Sequence, residues 1–95
     1  MTVGRLAVDT ARRTVQCGDV PIELTPSEYS ALEYLVLRRG RVASKRELLD
    51  HLHPVEASVS VNAIEVLIHQ LRRKLRAVKP AELIRTRRGH GYLVE

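Results

Sequence analysis

The stretch VNAIEVLIHQLRRKLRAV, residues 61–78, decides the fold, because its aliphatic side chains recur with the period of an α-helix. Projected on a helix, one stripe contains only aliphatic residues, namely Ile64, Ile68, Leu71 and Leu75. The opposite face carries amides, a cation and a small aliphatic group, namely Asn62, Val66, Gln70 and Arg73, with His69 and Arg76 beside them. We therefore predict a helix over about 61–78, capped by Asn62 and Glu65, whose aliphatic side packs on a core and whose polar side stays free.

Two further helices are predicted upstream, and each begins with a capping box. The sequence TPSE (25–28) places a threonine at the N-cap, a proline at the first helical position and a glutamate at the third. It predicts a helix over about 26–39 that ends at Gly40. The sequence SKRE (44–47) repeats the box and predicts a short helix over about 45–52.

Short strands are predicted on both sides of the helices. Alternating apolar and polar residues over about 3–24 predict a small antiparallel sheet, and Pro21 places its last strand at an edge. The sequence over 83–94 predicts a hairpin, because RRGHG (87–91) supplies glycines for a tight turn. The expected fold is α+β, a winged helix-turn-helix with an N-terminal antiparallel β-sheet, a three-helix core and a C-terminal β-hairpin wing, in one domain of residues 1–95.

Composition narrows the function classes. Of the 95 residues, 44% are hydrophobic and 28% are charged, which is typical of one folded domain, and the absence of Trp and Phe predicts an aliphatic core. The single cysteine, Cys17, excludes an internal disulfide framework and a cysteine-based zinc site, and it favours a reducing cytosolic compartment. No metal site is expected, because His51 and His53 lack carboxylate or cysteine partners at suitable spacing. No cofactor and no set of catalytic residues is expected either.

The positive charge is concentrated in one quarter of the chain. The formal net charge is +5, and residues 69–91 contain eight Lys and Arg against a single acid, Glu82. The remaining residues are therefore slightly acidic. A basic helix that is followed by an arginine-rich turn favours a polyanionic partner.

The predicted polar face of residues 61–78 suits the major groove of DNA. In that groove Asn and Gln pair with adenine, Arg pairs with guanine, and a small aliphatic group contacts the thymine methyl. We therefore expect base contacts from Asn62, Val66, Gln70 and Arg73. The thin cationic turn that contains Arg87 and Arg88 suits a narrow, electronegative minor groove.

Four stretches, in this order, resemble the OmpR/PhoB family of response-regulator DNA-binding domains. They are LTPSEY (24–29), GRVASKRELL (40–49), NAIEVLIHQLRRKL (62–75) and IRTRRGHGY (84–92). The stretch 62–75 is most similar to the QseB/PmrA-like branch. The resemblance implies the effector domain of a two-component transcriptional response regulator, which binds double-stranded DNA sequence-specifically with its third helix in the major groove and a wing arginine in the minor groove.

The resemblance also implies further contacts and partners. It implies phosphate contacts from His69, Arg72, Thr86 and Tyr92 and makes Arg88, next to Arg87, the minor-groove arginine. Two copies are expected head to tail on direct-repeat half-sites, and about residues 53–61 are expected to contact RNA polymerase. A receiver domain is expected in the full-length protein, of which this chain would be an isolated part, in the bacterial cytoplasm and associated with the nucleoid.

Two positions depart from the family pattern. Leu67 stands where the family often has histidine, which puts one phosphate contact in doubt. Leu52 and His53 stand where an aromatic residue is common near the end of the second helix, which weakens the expected polymerase contact.

The sequence pattern also fits other classes of function. A winged helix can also serve as a protein-interaction module, with the third helix docked on an acidic partner. An RNA-binding domain is a second alternative, although the chain lacks the aromatic pairs that stack on unpaired bases. An enzyme is the least favoured class, because no Ser, His and Asp set lies on converging elements.

Overall fold

The computed structural model describes residues 1–52, 61–76 and 83–95, with strands before and after three helices. The first four strands are β1 (Thr2–Val3), β2 (Leu6–Asp9), β3 (Thr14–Cys17) and β4 (Val20–Ile22). The helices and the hairpin strands are α1 (Pro26–Leu37), α2 (Lys45–Leu52), α3 (Val61–Arg76), β5 (Ile84–Arg87) and β6 (Gly91–Val94). This order of elements confirms the predicted α+β, winged helix-turn-helix architecture.

The N-terminal strands form one antiparallel sheet in the order β1-β2-β3-β4. Alternate side chains of its two central strands are buried, namely Leu6 and Val8 on β2 and Val15 and Cys17 on β3. β4 lies at the edge, as Pro21 predicts, because proline has no N–H to donate to a further strand.

The capping box predicted for α1 is present. Thr25 Oγ1 accepts a hydrogen bond from Glu28 N at 3.2 Å, and Glu28 Oε1 accepts one from Thr25 N at 2.9 Å. The same oxygen accepts a hydrogen bond from Lys74 Nζ on α3 at 2.6 Å, and Glu28 is only 1% exposed. One buried carboxylate therefore starts α1 and joins it to α3, and the lysine compensates its charge.

α1 ends at Leu37, two residues earlier than predicted. Arg38 caps the helix, with its N–H donating to Tyr34 O at 3.2 Å, and the chain then turns at Gly40, whose φ is +82°. The Gly40 N–H donates to Val94 O of β6 at 2.7 Å. The last predicted turn of helix is thus replaced by a connection that pairs with the hairpin.

α2 begins with the second predicted capping box. Glu47 N donates to Ser44 Oγ at 3.0 Å, and Ser44 N donates to Glu47 Oε1 at 3.2 Å. The other oxygen of this carboxylate accepts a hydrogen bond from the Tyr34 hydroxyl at 3.0 Å. The bond from the Ser44 backbone, followed by the one from Tyr34, holds the pKa of Glu47 below its usual value.

The cap expected for α3 is wrong. The helix has already begun at Val61, so Asn62 lies in its first turn and not at the N-cap. The Glu65 carboxylate, which was expected to complete this cap, pairs with Lys45 of α2. Residues 77 and 78, the last two of the predicted helix, lie outside the described residues.

The helices pack around a largely aliphatic core. The stripe predicted on α3 is buried, with Ile64, Ile68, Leu71 and Leu75 each at most 7% exposed. These side chains share one core with buried leucines of α1 and α2, which include Leu32, Leu35, Leu48 and Leu52. Burying one such side chain contributes about 1.5–3 kcal/mol, so the stripe fixes the rotation of α3 about its axis.

Backbone hydrogen bonds attach the hairpin to the connection between α1 and α2. Ala43 N donates to Tyr92 O at 2.8 Å, and Tyr92 N donates to Ala43 O at 2.9 Å, so Ala43 pairs with β6 like a short third strand. Gly91 lies directly against this pairing, with a φ of +143°. A β-carbon at Gly91 would lie 2.1 Å from Ala43 O, and the close approach of the two backbones therefore requires glycine.

Gly91→Ala is expected to destabilise the fold more than Gly89→Ala. Both glycines have a positive φ, but a β-carbon at Gly89 meets no atom of the described residues within 4 Å. We expect a loss of about 1–2 kcal/mol for Gly89→Ala, from the backbone conformation alone. For Gly91→Ala we expect about 3 kcal/mol or more, because Ala43 must also move. Urea unfolding measures both losses, and equal values would show that the contact with Ala43 has no energetic weight.

Glu47→Gln is expected to weaken the acid sensitivity of the fold. Because the pKa of Glu47 is lowered by folding, its ionised form stabilises the fold above the usual value of 4.5, and this stabilisation is lost as the pH falls through the folded value. Glutamine keeps an acceptor for Ser44 N but has no charge to lose. The fall in the urea midpoint between about pH 7 and about pH 3 should therefore be smaller in the variant. Glu23→Gln, at an exposed position, is the control, and the same fall in both variants would contradict the assignment.

Candidate nucleic-acid interface

The outer face of α3 carries the residues that were predicted to contact bases. All four of them are exposed: Asn62, Val66, Gln70 and Arg73. Val66 is 57% exposed although its side chain is aliphatic. The burial of the opposite stripe thus brings together, on one accessible face, the side-chain types that pair with adenine, guanine and the thymine methyl.

The hairpin presents two exposed arginines of different character. Arg87 is the last residue of β5, and Arg88 follows it in the turn. The Glu95 carboxylate lies 3.2 Å from Arg87 Nη2 and 3.1 Å from Arg85 Nε, so it pairs with two cations of β5. Arg88 forms no hydrogen bond or ion pair with any residue that the structure describes. The predicted pair therefore consists of one compensated cation and one available cation.

Arg72 points toward the hairpin. Its Nε and Nη2 donate to Ile84 O at 3.1 and 3.0 Å, and Nη2 also donates to Thr86 Oγ1 at 2.6 Å. The guanidinium carbon lies 5.6 Å from the centroid of the Tyr92 ring, within the range of a cation–π interaction. Within the described ranges, Nη1 remains as the nitrogen without an acceptor.

The other residues predicted to contact phosphate lie at different depths. His69 is exposed on α3, and Thr86 is exposed on β5. Tyr92 is only 6% exposed and stands opposite Thr86 in the hairpin register. Its ring therefore packs in the core and does not offer a face on which a base could stack.

A cleft of about 530 Å³ lies between α2, α3 and the wing. Of the described side chains that line it, Lys45, Arg87 and Arg88 are cationic and Glu65 is acidic. Lys45 and Glu65 form an ion pair across the cleft, and the hydrogen bond from the lysine to that carboxylate raises the pKa of Lys45. Lys45 therefore stays charged at neutral pH, and the cleft has a positive balance that suits an anion.

Sequence patterns miss two parts of this surface. They assign Lys45 and Glu65 only to helix starts, whereas these residues pair across the cleft although 20 positions separate them. They assign no role to Glu95, which compensates Arg85 and Arg87. Neither pairing follows a helical or strand period, so no signal in the sequence indicates it.

Among residues 1–52, 61–76 and 83–95, no group of three or more His, Cys, Asp or Glu side chains is placed to hold a metal ion. None of the helices described here combines the length and the apolar character that crossing a bilayer requires.

Comparison with known proteins gives a match over most of the chain. The family model described as "Transcriptional regulatory protein, C terminal" matches residues 19–94. The transcriptional regulatory protein PhoP of Escherichia coli strain K12 is 41% identical over 88 residues, which are 93% of this chain and 40% of that protein. The chain thus spans about 40% of the length of this curated relative.

Solved structures share the whole fold. The response regulator AdeR DNA-binding domain, in complex with an intercistronic region, superposes with a TM-score of 0.90 at 20% identity, over 100% of this chain and 98% of that one. The RstA DNA-binding domain of Klebsiella pneumoniae, in complex with the RstA box, superposes with a TM-score of 0.83 at 29% identity, over 99% and 94%.

Proposed function

Because the chain belongs to the family of C-terminal domains of transcriptional regulatory proteins, the DNA-binding effector domains of OmpR/PhoB-type response regulators, we propose that α3 and the wing read one duplex together. This is a family of transcription-factor domains and not an enzyme class. In the proposed complex α3 enters the major groove and Arg88 enters the adjacent minor groove. The observation that supports this mode is an exposed, nitrogen-rich helix face beside a projecting, available arginine.

The proposed base contacts come from the outer face of α3. Asn62 and Gln70 can each donate and accept a hydrogen bond at adenine, and Arg73 can donate twice to guanine. Val66 can contact a thymine methyl, which gives its exposed aliphatic side chain a partner in the complex. Asn62 is available for this role because it does not cap α3.

The proposed phosphate contacts surround that face. His69 is exposed beside it, and Arg72 still has Nη1 to donate. Thr86 Oγ1 accepts a hydrogen bond from Arg72, so its hydroxyl proton is left for a phosphate oxygen. Tyr92 contributes at most its hydroxyl group, because its ring is buried. These contacts would set the register of α3 on the duplex without reading sequence.

We also propose the setting of the full-length protein. A receiver domain accompanies this single domain of residues 1–95, and two copies bind head to tail on direct-repeat half-sites, in the bacterial cytoplasm and associated with the nucleoid. Residues 53–61 contact RNA polymerase, although 53–60 lie outside the described residues. The amino-acid sequence of residues 62–75 supports a place in the QseB/PmrA-like branch.

Selection of bound duplexes from a random pool tests the DNA-binding mode. With the 95-residue chain we expect a defined motif whose half-sites repeat in the same direction, at a spacing of roughly one helical turn, 10–10.5 base pairs. Equal affinity for every duplex would contradict the proposal. Effective competition by single-stranded RNA would favour an RNA-binding domain, and binding of an acidic protein without any duplex preference would favour an interaction module.

Gln70→Ala and His69→Ala are expected to separate base reading from phosphate anchoring. Gln70→Ala should lower the affinity for the selected duplex and relax the preference at one base pair, at a cost of about 1–3 kcal/mol if the contact is bidentate. His69→Ala should weaken binding to all sequences alike, because phosphates are the same at every step. Fluorescence anisotropy with the selected duplex and its single-base variants measures both effects. Identical profiles for the two variants would show that these roles are wrongly divided.

Arg88→Ala is expected to weaken binding more than Arg87→Ala. Each substitution removes one charge, but Arg87 is already paired with Glu95, whereas no described residue pairs with Arg88. We expect the slope of log affinity against log salt concentration to become smaller in magnitude by about 0.9 for Arg88→Ala, the value for one neutralised phosphate. The decrease should be clearly smaller for Arg87→Ala. Titrations between about 50 and 200 mM salt give the slopes. Equal slopes would assign both arginines to the duplex.

A further inference from the structure

Arg72 is a residue of α3 whose side chain connects this helix to the hairpin. It follows the buried Leu71 and precedes the exposed Arg73, so its side chain leaves α3 between the core and the outer face. From there its guanidinium reaches the backbone of Ile84 and the side chain of Thr86, both on β5. The connection therefore runs from the element that reads the major groove to the base of the wing.

The contact depends on the shape of the guanidinium as well as on its charge. Two nitrogens share Ile84 O, at 3.1 and 3.0 Å, and one of them also donates to Thr86 Oγ1 at 2.6 Å. The same group lies over the Tyr92 ring, 5.6 Å from its centroid. A planar fork with several fixed N–H groups satisfies these partners together, whereas a lysine ammonium is a compact charge on a flexible stem.

The hairpin is thus attached through both of its strands. Ala43 pairs with Tyr92 of β6 through two backbone hydrogen bonds. Arg72 attaches β5, and Thr86 lies only two residues before Arg88 in the chain. Of these two attachments, the one through Arg72 is the one that involves α3.

We propose that Arg72 is a positioning residue, which fixes the wing relative to α3 so that Arg88 and the outer face of the helix reach one duplex at a set separation. This role rests on the DNA-binding mode proposed above. Without the attachment, the wing must be ordered during binding, and the lost conformational freedom lowers the affinity. A residue that acts only as a phosphate anchor needs its charge alone, and lysine can replace it.

Arg72→Lys tests this role because it keeps the charge and removes the fork. In the free 95-residue chain we expect amide hydrogen exchange in β5 to become about tenfold faster, while the buried part of α3 keeps its protection. On the duplex selected from the random pool we expect about a tenfold loss of affinity with an unchanged salt dependence. Arg73→Lys, at the neighbouring exposed position, is the control for exchange and should leave β5 unaffected.

A double-mutant cycle shows whether Arg72 acts through the wing. In the Arg88→Ala background, Arg72→Lys should change the affinity by less than about twofold, because the wing arginine that Arg72 is proposed to position is then absent. A full tenfold loss in that background would overturn the proposal. So would an Arg72→Lys chain that exchanges and binds like the unaltered one, since Arg72 would then be a phosphate anchor only.

A second variant keeps the test decisive if Arg72→Lys does not fold. Thr86→Val leaves Arg72 in place and removes one of its acceptors, and exchange in β5 of the free chain is again expected to rise. Unchanged exchange would overturn the attachment. If the unaltered chain does not discriminate between duplexes, the proposed function fails, while the exchange measurement still decides whether Arg72 holds the wing.

Discussion

Burial of the aliphatic side of α3 is the constraint on which the rest of the structure depends. Ile64, Ile68, Leu71 and Leu75 are all inside the core, and turning the helix by even a quarter turn would expose some of them to water. The polar residues on the opposite side are consequently held outward without needing contacts of their own. The accessible face of α3 is thus a consequence of what its other face buries.

The position of the wing depends on a different kind of interaction. Ala43 and Tyr92 exchange two backbone hydrogen bonds, and Gly91 lets the two chains approach closely enough to make them. Arg72 adds a side-chain attachment from α3 to β5. The hairpin is therefore part of the same packed unit as the helices. This suits a domain that binds one duplex through both α3 and the wing, because ordering a flexible element during binding would lower the affinity.

Acidic side chains divide the basic residues into structural and available ones. The buried carboxylate of Glu28 binds the partly exposed Lys74, Glu65 binds Lys45 across the cleft, and Glu95 binds Arg87 beside the turn. The net charge of +5 therefore does not describe the surface that a nucleic acid would meet. The paired cations are partly compensated, whereas Arg73 on the outer face of α3 and Arg88 in the turn of the wing are exposed.

The sequence by itself determined the elements whose causes are local. Capping boxes at Thr25 and Ser44, the helical period of α3 and the glycines of the hairpin each act over a few residues, so they predict the element order, the core stripe and the exposed face. These local patterns were wrong at two places where residues far apart in sequence form hydrogen bonds or ion pairs. Asn62 is not the cap, since α3 has already begun at Val61, and Glu65 pairs with Lys45 of α2. α1 ends two residues before the predicted position, and Gly40 beyond it pairs with Val94 of β6.

Only the tertiary structure decided how the cations are shared and how the wing is held. Arg72 and Arg73 are adjacent residues of the same type, yet Arg72 binds the hairpin and Arg73 is exposed. Arg87 and Arg88 are adjacent, yet only the first is paired with Glu95. These differences depend on which groups the packed chain brings within hydrogen-bonding distance, and residues far apart in sequence acquire such distances only when the core has formed.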